Sequence, residues 1–260
     1  MAQQAPRARR QRCEASRPAR DSVSLCGRPF DLELADPTAR SPDDRAASAP
    51  ADTERCRLLL AELLRRAWPG QAATWADALI AEFGSLPAAL AVGVGDRARS
   101  IGAEPARYLA DIQATLLHCL RLKLAERPVI STSQQLLDYL HADMANLINE
   151  RFRVLFLTSQ NELIADDLVW EGTVGEAPAY PREIVKRALE VGATGIILVH
   201  NHPSGDHRPS NGDADATRRI AEAALILGIC VHDHIIISRA GWTSFRRLGL
   251  LETLPSPRAD

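Results

Sequence analysis

The overall composition names no class of partner. The formal net charge is only -2 across 260 residues, so no whole-chain field draws the protein to nucleic acid. No apolar run approaches the ~20 residues needed to cross a bilayer. Arg7, Arg9, Arg10 and Arg12 are followed by no apolar segment, so no secretory signal is expected. Cys13, Cys26, Cys56, Cys119 and Cys230 are scattered, with no Cys-x-x-Cys. That spacing offers no disulfide framework and points to reduced thiols in a cytoplasm. Cys119 and Cys230 lie among apolar residues, where a thiol serves as core filler. A phosphate-binding loop is missing, so ATP-driven chemistry has no support. No internal repeat is present.

What is there divides in three. Residues 1–52 are rich in Arg, Ala, Pro, Ser and Asp without a hydrophobic period, and read as a disordered tail. Its first twenty residues hold six Arg against one Glu; a solvated tail is the simpler reading than a nucleic-acid arm. Residues 53–127 read as a small all-helical module. Its apolar segments are Leu58–Leu64, Trp75–Phe83 and Ala106–Leu120, the last with i, i+3, i+4 spacing. Pro128 stops the run. Thr132 or Ser133 caps a helix over 134–148. From 132 to 250 the pattern becomes mixed α/β. Strands are predicted at 152–157, 162–174, 195–200 and 229–238, with a short one at 242–245. A helix starts at Pro181 and ends at Gly192. Another over 211–227 is capped by Ser210 and ended by Gly228.

The chemistry concentrates between these elements, in His200-Asn201-His202-Pro203-Ser204-Gly205 followed by Ser210 and Asp213. The buried run Gly195–Val199 feeds directly into it, at a strand end of the kind where α/β proteins place their sites. Two residues apart on extended backbone, His200 and His202 point to one side. Pro203 and Gly205 turn the chain so that the first turn of the next helix returns toward the imidazoles. Asp213 sits on that turn, where the helix dipole favours a carboxylate. Two His and one Asp form a ligand set for one catalytic zinc, with a fourth position open to water. Taken alone, Ser210-x-x-Asp213 is an ordinary capping box and His-x-His is incidental; the combination at a strand end is what points to a metal. His232 and His234 alternate on a second apolar strand and read as structural or as support for the first site. His207 matches no ligand position and reads as exposed. Asn201 and Ser204 read as turn-shaping, and Arg182 as a surface ion pair.

The string His-Asn-His-Pro-Ser-Gly-Asp-His-Arg-Pro-Ser-Asn-Gly-Asp resembles the metal motif of JAMM (MPN-type) metalloproteases. More closely it is similar to the RadC family. Phe152–Leu157, Leu163–Asp166, Gly172-Thr173-Val174, Tyr180-Pro181-Arg182-Glu183 and Val231–Ile237 resemble other blocks of that family, over residues 132–248. The resemblance implies a cytidine-deaminase-like α/β fold: a mixed sheet flanked by helices, preceded by the helical module. It implies a zinc-dependent peptidase or isopeptidase acting on a protein or peptide substrate. It matches His200, His202 and Asp213 to the zinc ligands, and Ser210 to a hydroxyl that bonds the oxyanion of a tetrahedral intermediate. It matches Glu150 to the general base, with Glu171 and Glu183 as alternatives.

Two other functions compete. A DNA-repair-associated protein with a structural metal site would bind DNA through the module at 53–127, which resembles helix-hairpin-helix units. The comparable segment is Ser100–Ala106, where the expected second glycine is absent and Glu104 stands in the path of phosphate. Gly93-Val94-Gly95 has the glycines but precedes a polar stretch that does not clearly open a helix. DNA is therefore a disfavoured partner. A zinc deaminase requires His-x-Glu with Pro-Cys-x-x-Cys, which this chain lacks.

Overall fold

The computed structural model describes residues 42–125, 129, 133–172 and 179–251. Five helices come first: α1 (Pro42–Arg65), α2 (Ala72–Phe83), α3 (Leu86–Ala91), α4 (Val94–Ile101) and α5 (Ala103–Ala125). They enclose a core of Leu60, Leu64, Ala76, Leu79, Ile101 and Leu109. Helix α1 begins at Pro42, inside the stretch to residue 52 read as a tail. Pro42 followed by Asp43 and Asp44 is helix-start chemistry that carries no apolar period. The rest of that tail, 1–41, lies outside the described residues. The polar stretch after Gly93 does open a helix: Gly93 stands at the N-cap of α4. Gly102 joins α4 to α5 with φ 86, a left-handed turn that suits glycine.

The mixed α/β part follows as α6 (Ser133–Met144), β1 (Glu150–Leu157), β2 (Leu163–Gly172), α7 (Pro181–Val191), β3 (Gly195–Asn201), α8 (Asn211–Ile226), β4 (Cys230–Ser238) and β5 (Gly241–Ser244). The sheet order is β2-β1-β3-β4-β5. Strands β3 and β4 run parallel, and the other pairs are antiparallel. Each face of the sheet is covered. Leu136, Leu140 and Met144 of α6 pack on Leu155, Ile197, Val199 and Ile235. Ile184 and Ala188 of α7, with Ile220 and Ala224 of α8, pack on Phe152, Val154, Ile196 and Leu198. Every residue of β3 is buried, which its unbroken apolar run requires.

Local chemistry accounts for the boundaries. Pro181 occupies the first turn of α7, and Gly192 ends it in the left-handed region, its N–H bonding the carbonyls of Ala188 and Leu189. Ser210 caps α8. Helix α6 ends at Met144 rather than 148. The proposed cap Thr132, Pro128, and the predicted end of the second strand at 173–174 lie outside the described residues. Cys56 and Cys119 are free thiols, but Cys119 is exposed rather than core filler. Its neighbours Leu116 and Leu122 are exposed as well: this stretch of α5 is apolar on more sides than its partners cover. Cys230 is disulfide-bonded, contrary to the expectation of reduced thiols.

Candidate metal centre

Strand β3 delivers His200 and Asn201 to its C-terminal end, both buried. His202 lies just beyond, held by its backbone N–H to the Ile237 carbonyl at 2.9 Å. Gly205, with φ 91, turns the chain. Its N–H returns to the His202 carbonyl, and its own carbonyl accepts from Ser238 Oγ at 2.9 Å. The loop then runs into α8, where Ser210 and Asp213 close a full capping box.

The three expected ligands come together. His200 Nε2 lies 2.8 Å from His202 Nε2. Asp213 Oδ1 is 3.2 Å from His200 Nε2, and Asp213 Oδ2 is 3.6 Å from His202 Nε2. One ligating atom from each residue falls within 4.8 Å of the others. The opposite ring nitrogens are committed elsewhere. His202 Nδ1 is 2.6 Å from the Asp206 carbonyl, which only a ring N–H can satisfy. His200 Nδ1 is 2.8 Å from His234 Nε2. If both imidazoles spend their single proton at Nδ1, two bare nitrogens and a carboxylate face one point. Such a cluster of lone pairs is stable only around a cation, either a proton or a metal ion. This donor set fits zinc.

The electrostatics agree. Burial alone would raise the Asp213 carboxyl, but hydrogen bonds from His200, His202 and Ser210 hold it far below the usual carboxylate range. His202 is raised by its hydrogen bond to Asp213, against burial, with smaller help from the Asp206 carbonyl and the Glu150 charge. Ser210 Oγ donates to Asp213 Oδ2 at 2.6 Å and accepts from Asp213 N–H at 3.1 Å. The hydroxyl expected at an oxyanion is thus turned onto the carboxylate.

Glu150 opens β1, two residues before Phe152, the cross-strand partner of His200. Alternation places it on the His200 side of the strand. Asn201 anchors that strand end: its Oδ1 accepts from Arg151 N–H at 2.8 Å, and its Nδ2 donates to the Asn149 carbonyl at 3.0 Å. It therefore does more than shape a turn. Glu171 is the cross-strand partner of Arg151, on the side of the strand opposite His200, and pairs with it at 3.1 Å; Glu183 pairs with Arg182 at 3.2 Å on the surface. His207 is not free in the loop; its Nδ1 reaches Thr243 Oγ1 of β5 at 2.6 Å. His234 stands behind His200, whereas His232 packs over Gly195 at the far end of β3.

Residues 130–250 match the family model for the RadC-like JAB domain. These residues form a RadC-like JAB domain. The match spans the whole sheet, its helices, and the His200–Asp213 cluster. Thr217, which no motif marks, bonds His234 at 2.6 Å. Its position four residues after Asp213 on one helix face was the available signal.

Proposed function

We propose that this RadC-like JAB domain is a zinc-dependent hydrolase that cleaves peptide or isopeptide bonds in a protein or peptide substrate. The convergence of His200 Nε2, His202 Nε2 and the Asp213 carboxylate supports this reading. These three residues would hold one zinc ion. Bound there, zinc supplies a Lewis acid and brings the pKa of a water toward ~7. Glu150, anchored through the Asn201 bonds on either side of it, accepts a proton from the attacking water. It then passes that proton to the leaving amine. Ser210 Oγ, rotated away from Asp213, donates to the oxygen that gains charge in the tetrahedral intermediate.

The test pairs metal analysis with a fluorogenic peptide and isopeptide panel. Wild type should carry about one zinc per chain and hydrolyse at least one member. Glu150→Gln should keep the zinc while its rate falls by about 10²–10⁴-fold. Unchanged hydrolysis by Glu150→Gln removes it as the base, and a wild type without zinc overturns the proposal.

A further inference from the structure

The hydrogen bonds behind His200 run in one direction. Thr217 Oγ1 lies 2.6 Å from the carbonyl oxygen of Asp213, one helical turn earlier. Two oxygens at that distance need a proton between them, and only the Thr217 hydroxyl has one. Its oxygen is then left to accept, so His234 Nδ1, 2.6 Å away, must carry the proton of that bond. A neutral His234 has no second proton. Its Nε2 therefore accepts from His200 Nδ1 at 2.8 Å, and His200 is left with a bare Nε2, the atom turned toward His202 and Asp213.

The surroundings keep this chain from rearranging. Thr217 and His234 are buried, at 2% and 1% exposure, so water does not compete for their bonds. Phe152 stacks against His200, and Phe245 against His234 with ring centroids 4.6 Å apart. Both rings are held flat in place. The relay also closes on itself: it starts at the backbone of Asp213 and ends at His200, so two ligand residues are tied together from behind.

We propose that Thr217 and His234 are positioning residues: a directed relay that fixes His200 as the Nδ1–H tautomer and so presets the metal-binding face. This rests on the metal reading above, and reaches beyond it to two residues that are not themselves ligands but contact them from behind. An outer partner of this kind typically changes metal affinity about 10–100-fold.

The experiment uses the full chain and two readouts. Zinc affinity is measured by competition with a chelator. Thr217→Val should bind zinc about 10–100-fold more weakly, and Thr217→Ser, which keeps the hydroxyl, should return to within a few-fold of wild type. His234→Gln, able to accept from His200 and donate to Thr217, should lose less than His234→Phe. Long-range ¹H–¹⁵N correlation spectra of the metal-free protein read the tautomers directly. His200 protonated at Nδ1 in wild type, with that preference weakened in Thr217→Val, supports the relay. His200 protonated at Nε2, or a Thr217→Val variant with wild-type affinity and tautomer, overturns it. A wild type that binds no zinc removes the metal site, not the relay, which the tautomer spectra decide on their own.

Discussion

Two His-x-His pairs stand on neighbouring parallel strands, and they do different work. His200 and His202 straddle the C-terminal end of β3, where the chain opens into a loop and the first turn of α8 brings up Asp213. His232 and His234 lie in the first half of β4, level with the beginning and middle of β3. The register slips by one residue there: Ile196 pairs with Val231 and Ile197 with Asp233, leaving His232 as the extra residue. A bulge of this kind re-aims a side chain. His232 consequently faces Gly195, and His234 alone reaches the site. The titration behaviour divides the same way. Contact with Asp213 raises His202, whereas burial, aided by the Arg246 charge, lowers His232 to about 4. The same His-x-His spacing thus meets a carboxylate only where a strand end, a turn and a helix N-terminus come together.

The largest expected effect separates the pairs by zinc content. His202→Ala should fall from about one zinc per chain to almost none, and His232→Ala should keep its zinc at some cost in stability. Equal zinc in both variants, measured by elemental analysis, breaks the comparison.

The next effect is on stability against pH. His232, lowered to about 4, contributes stability above the ordinary histidine range that is lost as pH falls from about 6.5 toward 4. Its neighbour Asp233 is raised to about 6 by burial, against hydrogen bonds from Ser244 and the backbone of Arg246 and His234. That shift works the other way: its contribution is present below the ordinary carboxylate value and is lost as pH rises through about 6. Each is worth up to about 3 kcal/mol at ~1.4 kcal/mol per pKa unit. Relative to wild type, Asp233→Asn should lose more stability on acidification between about pH 6 and 4, and His232→Phe less. Chemical denaturation across that window checks both signs.

The smallest effect tests the bulge contact. A Cβ on Gly195 would come within 2.3 Å of the His232 ring. Gly195→Ala should cost about 1–3 kcal/mol by overpacking, and the penalty should shrink in a His232→Ala background. Additive losses in a double-mutant cycle would show that the ring is not what crowds Gly195.

Much of this was legible in the chain itself, for physical reasons. The β3 run, Pro181 and Gly192 around α7, and Ser210 before α8 are local signals, and each lies where the structure has its element. The clustering of His200, His202 and Asp213 was legible because they lie within fourteen residues, so one turn suffices to gather them. Short helices α3 and α4 were not, since six and eight residues carry too little periodicity to read. The exposure of Cys119 was not either: an apolar residue on a helix is buried only if a partner arrives.

The amino-acid sequence by itself determined the order of the elements, their caps, and the identities of His200, His202 and Asp213, because each depends on neighbours a few residues away. Only the tertiary structure decided what stands behind them. Asn201 reaches back fifty residues to Arg151, His234 reaches thirty-four to His200, and a one-residue slip turns His232 away. Pairing between distant strands sets those contacts, and nothing in the local pattern records which residues the sheet will place side by side.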